Sequence, residues 1–554
     1  MNPMDRKNTM TAKATHYRGG RIFTAAEPAW AESMIVEDSQ LTYVGDTVTA
    51  DALTRDADIV ELDGAFVLPG FIDAHTHLLM MGQSLQKVDL QSAVDLAGIQ
   101  DRIGRFAADN PTAPRILGRS WLFPALGGRP PTRQMIDAVE ADRPVYLDSN
   151  DVHSVWVNSA ALHELGIDDH TPDPLGGRIE RDPATGHATG MLYETAVTQI
   201  VWPALAKVVT DHERDVALAA AFERYLADGV TGAVDMALGA DEVAALERAL
   251  AAGGGTLPLR VAGHWLITRT DSTEENVRQV REAATYAQRL QGPWLRMAGI
   301  KIIIDGVIDS CTATMKEPYS DGTNAEPIWD LESLAPVVTA ADAAGLQVAM
   351  HAIGDEASEI GLTALEKAIA ANGIRPRRHR MEHLETITKD NVQRLAQLGV
   401  VASMQPVHAD PAIQENWRAV LGDHRVERAY PWPEMTSAGA VLALGSDAPT
   451  APHPPLPNMY VATTRKSAID PTLPPNLPEY ALPMADALAH ATRDAAYSCC
   501  WDDLTGQLVA GKAADFVVLD GNPFTDGAGS LLTSRVGLTV VAGRIRHRTT
   551  PRPL

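Results

Sequence analysis

The sequence predicts an α/β protein: a (β/α)8 barrel with an inserted subdomain, plus a small sheet domain assembled from both ends of the chain. Three observations predict it. Strand-like segments alternate with Ala-rich helical segments through the middle of the chain. Short strands separated by Gly, Asp and Pro turns occur near both termini. Histidine, lysine and aspartate recur at the ends of otherwise apolar strands, and the C-terminal strand ends are where such barrels carry their chemistry.

The terminal strands are "GGRIFTA", "ESMIVEDSQLTYVGD" and "ADIVELDGAFVLPG" at the start, and "ADFVVLDGNPF" and "VGLTVVAGRIRH" at the end. Pairing them makes one sheet domain from residues 14–67 and 501–550, and leaves 68–500 as a single α/β unit. Its strand candidates are "FVLPGFIDAHTH", "RPVYLDSN", "GVTGAVDM", "LRVAGHW", "RMAGIKIIIDG", "LQVAMHAIGD", "RHRMEHLE", "VVASMQP" and "AVLALGSDAP". Between them lie stretches such as "DVALAAAFERYLAD" and "DEVAALERALAAG", apolar at three- and four-residue spacing, which predict helices. Regular alternation of this kind predicts a parallel sheet covered by helices. A barrel needs eight strands and there are nine candidates. The gap from His77 to Gly229 is roughly 150 residues, against about 30 for one βαβ unit. "RPVYLDSN" is therefore assigned to an insertion at about 90–210.

Composition narrows the function classes. The 554 residues are 45% hydrophobic and 21% charged, the balance of a folded globular protein. Net charge is -24 and the pI about 5.1, a field that repels phosphate backbones and anionic lipid. Nucleic-acid and membrane-surface roles are not expected. Three cysteines, two of them adjacent (Cys499 and Cys500), do not make a disulfide framework. The first twenty residues lack the apolar stretch of a signal peptide, and no long apolar run predicts a membrane span. A cytoplasmic protein is expected.

The strand ends carry the candidate chemistry. "GFIDAHTHLL" places His75 and His77 two residues apart, a spacing that puts both imidazoles on one face of a strand. Lys301 lies inside the apolar run "AGIKIIID"; His351, His383 and Asp447 end three later strands. Singly, each has a structural reading. Lys301 could pair with Asp305, a lone histidine could be a hydrogen-bonded core residue, and Asp447 in "GSDAP" could begin a turn. Together, four His, one Lys and one Asp at strand ends of one fold point to a metal site. Imidazole and carboxylate donors suit Zn2+ best, with other divalent metals compatible. His153, Glu194, Trp121 and Trp265 are candidate pocket residues, each with an equally good structural reading. Cys311 has no neighbouring base to activate it. "GQLVAGKA" imitates a phosphate-binding loop, but Ala513 replaces the required hydroxyl and a strand follows, so it reads as a turn.

"GFIDAHTHLL", "KIIIDG", "HAIGD", "RMEHLE" and "GSDAP", in this order, resemble the amidohydrolase superfamily, specifically amidohydrolase family 3. "DVHSVWVNSAALHELGI" and "GGRIERDPATGHATGMLYETA" resemble its branch containing N-substituted formamide deformylases. The resemblance runs over nearly the whole chain. It implies a (β/α)8 TIM barrel with a composite β-sandwich from the two termini. It also implies that His75, His77 and Asp447 hold the more buried metal and that His351 and His383 hold a second. Lys301 then corresponds to a lysine that in many relatives is carboxylated and bridges both ions, although other members work with a single metal.

The implied activity is hydrolysis of a C–N bond in a small amide, an N-substituted formamide being one candidate. Metal-bound water ionises near pH 7, about the value that makes hydroxide available at neutrality. Asp447 would act as general base and then protonate the leaving nitrogen, with His383 or His351 assisting at the oxyanion. The same residues are compatible with a cyclic imide, urea, carbamate or ester, and a non-catalytic regulatory or binding barrel is the remaining alternative. The expected partner is a small amide-type substrate; a homodimer is compatible with the sequence.

Overall fold

Every residue of the strand Phe71–Thr76 (β1) is buried, as expected where helices cover one face of a parallel sheet and a packed interior the other. The computed structural model describes residues 13–54, 56–149, 154–174, 177–194, 196–414 and 416–549. After β1 come Val230–Leu238 (β2), Arg260–Leu266 (β3), Leu295–Ile303 (β4), Gln347–Ala352 (β5), Arg380–His383 (β6), Val401–Met404 (β7) and Leu442–Leu444 (β8). They pair in chain order, all in parallel. A parallel bridge between Thr76 and Ala448 joins the two ends of the order. The predicted (β/α)8 barrel is therefore the observed one.

Helices between the strands have local causes. In Thr273–Arg289 the Ser272 side chain caps the first turn by accepting from the Glu275 amide, and one face buries Val280 and Ala283. Asp330 caps Leu331–Ala343 in the same way through Ser333. These helices pack along the outside of the barrel through apolar faces, and their loops at the strand C-termini are free to carry function.

The terminal segments form one sheet. Its order runs Arg544–Arg548, Val536–Val541, Phe516–Leu519, Phe66–Pro69, Thr15–Phe23, Trp30–Glu37, Gln40–Gly45, with Asp58–Glu61 also pairing to Thr15–Phe23. Leu41, on one edge strand, shares a core with Phe516, Leu538 and Val540 from the opposite half, and Gln40 bridges to Ala513. The sheet thus folds over its own apolar face. Gly506–Ala513 is a turn of this sheet: Leu41 donates to the Lys512 carbonyl and Gly511 to the Leu41 carbonyl, both at 2.8 Å. A buried Arg260–Asp515 ion pair at 2.8 Å ties β3 to the C-terminal segment.

Residues Leu79–Ala220 form a second compact unit with a sheet of its own. Val145–Ser149, within "RPVYLDSN", belongs there, between Ile116–Trp121 and Ser154–Val157. Both faces of this sheet are covered, one by a cluster around Trp121 and Trp156, the other by one around Tyr146, Val155 and Leu192. Among the described residues, no helix is long and apolar enough to cross a membrane.

Candidate metal centre

The mouth is assembled where β1 meets the segment after β8. Asp447 adopts a left-handed backbone (φ 62°), a conformation that aspartate tolerates better than most side chains. This turns its amide onto the His75 carbonyl at 2.7 Å and its carboxylate onto the two imidazoles. Asp447 Oδ1 lies 3.3 Å from His75 Nε2 and 3.2 Å from His77 Nε2. Gly445 makes the approach feasible, since a Cβ there would stand 2.4 Å from the His75 nitrogen. Asp73 clamps the same seam by accepting from the Ser446 amide at 2.9 Å, the Ser446 hydroxyl at 2.5 Å and the Tyr225 hydroxyl at 2.9 Å.

Strand pairing brings the remaining histidines alongside. His351 is the last residue but one of β5 and His383 ends β6, and their rings are 4.5 Å apart; the His383 ring is 4.8 Å from that of His75. His383 Nδ1 is bonded to the Gln405 side-chain oxygen at 2.9 Å, and His351 Nε2 to the Gly306 carbonyl at 3.1 Å. Each ring therefore donates one N–H to an oxygen and keeps one nitrogen lone pair. Burial holds both rings below the usual imidazole range, His351 at about 3.

Lys301 is buried on β4 beside the same charges. Burial lowers its ammonium to about 8, while Glu382 and Asp447 oppose that shift. Asp305, the partner that a purely structural reading offers, is engaged elsewhere. Its carboxylate accepts from the amides of Ile353, Gly354 and Thr314, at 3.1, 2.8 and 3.0 Å.

Several residues at the mouth were not singled out from the sequence. Arg380 and Glu382, both on β6, form a fully buried ion pair at 2.6 Å, and Glu382 reaches His75 Nδ1 at 2.7 Å. Two charges at i and i+2 within "RHRMEHLE" were the available signal. His408 stacks on His383 with rings 5.9 Å apart, its Nδ1 3.3 Å from Glu385 and its Nε2 3.6 Å from Asp447. It follows β7, where no motif marked it.

The pocket candidates fare differently. Trp121 is wholly buried in the core of the inserted unit, where its indole N–H donates to the Leu147 carbonyl at 3.0 Å. That placement corrects its reading as a pocket wall: the large apolar ring serves the core. Trp265 is nearly buried and stacks on Tyr286 at 4.6 Å. Glu194 ends the strand Ala188–Glu194, opposite Gly177. His153 lies outside the described residues.

Two donor sets in the mouth have metal-like spacing: His75, His77 and Asp447, and His383, Glu385 and His408, with ligand atoms within 4.8 Å in each set. The first passes a chemical test of fit. His75 Nε2 faces Asp447 and is buried without a hydrogen-bond partner, so a divalent ion would satisfy a lone pair that the protein leaves open. Fold and mouth define the class: a (β/α)8-barrel protein with a candidate metal centre at the C-terminal strand ends.

Comparison with known proteins narrows the class. A family model described as the amidohydrolase family matches residues 58–547. YtcJ of Bacillus subtilis strain 168 is 31% identical over 548 residues, covering 96% of this chain and 98% of its own length. The N-substituted formamide deformylase of Arthrobacter pascens is 28% identical over 544 residues, covering 95% and 96%. Among solved structures, an uncharacterized metal-dependent hydrolase from Pyrococcus horikoshii OT3 superposes with a TM-score of 0.78 at 26% identity, over 93% of this chain and 99% of that one. The chain belongs to the amidohydrolase family. It is a hydrolase of that family.

Proposed function

We propose that the protein hydrolyses the C–N bond of a small amide, an N-substituted formamide first among candidates, at a centre holding one or two divalent metal ions. Zinc is the preferred ion, on the chemistry of imidazole and carboxylate donors. One observation carries the reading: Asp447 Oδ1 lies within 3.3 Å of both His75 Nε2 and His77 Nε2, with the buried His75 Nε2 left open. The metal-dependent hydrolase named among the solved structures and the deformylase named among the relatives support it.

His75, His77 and Asp447 would hold one ion; His351 and His383, each with a single free nitrogen, would hold a second. Beside His351 and His383, Lys301 would supply a further carboxylate donor after its neutral amine adds to carbon dioxide and loses a proton. When bound, the metal supplies Lewis acidity to the substrate carbonyl and acidity to water. Everything else is done by side chains.

Burial alone would push the Asp447 carboxyl up, but its surroundings, with His77 Nε2 at 3.2 Å from Oδ1, hold it well below the usual carboxylate range. It is therefore ionised at neutral pH and able to accept a proton. Oδ1 faces the two imidazoles, which leaves Oδ2 as the atom that takes the proton and returns it to the leaving nitrogen. With its Nδ1–H given to Gln405, His383 presents a lone pair and not a donor. A ligand role then replaces the oxyanion role considered for it.

The test is a panel of small formamides, longer amides, cyclic imides, ureas, carbamates and esters, assayed with zinc-loaded and chelator-treated protein. Formamide turnover that disappears with the metal is expected. Turnover indifferent to chelation would overturn the metal reading, and preference for another member of the panel would reassign the bond.

A further inference from the structure

Deepening that proposed function, and resting on its metal reading, we propose that the buried Arg380–Glu382 pair positions the metal centre by fixing the ring orientation and tautomer of His75. Glu382 Oε2 meets His75 Nδ1 at 2.7 Å, and both side chains are essentially inaccessible to solvent. A carboxylate paired with a guanidinium can only accept, so Nδ1 carries the proton and Nε2 carries the lone pair. The ring edge bearing Nε2 is the one that faces Asp447 and His77, and it has no hydrogen-bond partner of its own.

Arg380 is what keeps Glu382 charged inside the barrel. Its Nε donates to Glu382 Oε1 at 2.6 Å and one terminal nitrogen to Oε2 at 3.1 Å. The same terminal nitrogen reaches the Ala74 carbonyl and the Ser403 hydroxyl, each at 2.6 Å, and the other reaches Ser498 at 3.2 Å. The guanidinium thus links β1, β6, β7 and the helix Arg493–Ser498. A charge pair used only for stability would be an expensive choice here, because replacing buried pairs by apolar residues is often neutral or favourable. The contact with His75 gives the pair a purpose that an apolar substitute could not serve. Carboxylates behind metal-binding histidines fix orientation and strengthen the ligand, and losing one typically weakens metal binding about 10- to 100-fold.

The test compares wild type, Glu382→Gln and Glu382→Asp as full-length, metal-depleted protein. Zinc affinity is measured by competition with a chromophoric chelator, and the visible spectrum is recorded after cobalt loading. Glu382→Gln is nearly isosteric but uncharged; Glu382→Asp keeps the charge on Arg380 while withdrawing the oxygen from His75. If the pair positions His75, both variants bind zinc about 10- to 100-fold more weakly and show an altered cobalt spectrum. If Glu382→Gln does not fold, Glu382→Asp decides. Folded variants with wild-type zinc affinity and cobalt spectrum would overturn the inference and leave the pair purely structural. Failure of wild type itself to bind either metal would instead overturn the metal reading on which it rests.

Discussion

Asp447 meets His75 twice: its amide donates to the His75 carbonyl at 2.7 Å, and its carboxylate lies 3.3 Å from the His75 ring. The two residues are far apart in sequence and adjacent only because the last barrel strand returns to the first. Closing the barrel and assembling the candidate site are therefore one structural event. A perturbation of the β1–β8 seam should register in both stability and metal binding.

Asp447→Asn preserves shape, and asparagine tolerates the left-handed backbone that this position requires. It removes the proton acceptor at Oδ2. Turnover should fall by about 10²–10⁴-fold, the usual contribution of a positioned acid–base group. Circular dichroism and turnover on one preparation check this; near-normal turnover in a folded, metal-loaded variant would show that the base lies elsewhere.

Gly445→Ala tests the seam. The added carbon would sit 2.4 Å from the His75 backbone nitrogen and 3.0 Å from Asp73 Oδ1, and backbone cannot swing aside as a side chain can. Overpacking of this kind costs about 1–3 kcal/mol. Urea unfolding should show the loss, and elemental analysis should show reduced metal per chain.

Lys301→Ala should lower the metal content, because the residue is buried close enough to His351 and His383 to act on their charges and would supply a further carboxylate donor. Short carboxylic acids should partly restore activity by entering the vacated space. Metal per chain, with and without added acetate or propionate, measures it. Unchanged metal content would point to a mononuclear site held by His75, His77 and Asp447.

Asp342 predicts a pH dependence remote from the mouth. Burial would raise its carboxyl, but Arg377, Asn372 and His379 bind it at 2.6, 2.8 and 3.1 Å and hold it below the usual range. With the folded value depressed, its stabilisation is fully present above the unfolded value of about 4 and is lost as pH falls through and below that value. Removing one partner of such a buried cluster costs about 3–5 kcal/mol. Asp342→Ala should be much less stable than wild type at pH 7, with the gap narrowing as pH falls below 4. Urea midpoints across that range decide it.

Periodicity and turn residues are local properties, and they were enough to predict the strand–helix alternation and the two-ended sheet. The sequence by itself also determined which side chains stand at strand ends. His75, His77, Lys301, His351, His383 and Asp447 interrupt apolar runs, and an ionisable residue there is conspicuous whatever it later touches. Only the tertiary structure decided their partners. Glu382 was visible beside His383, but its contact with His75 crosses 307 positions and exists only because β1 and β6 share a barrel interior. His408 sits in an unremarked turn and gains its neighbours through stacking on His383. Trp121 looked equally suited to a pocket or a core until the inserted sheet buried it. Contacts of this kind depend on distance in space, and sequence spacing carries no information about distance once the chain has folded back on itself.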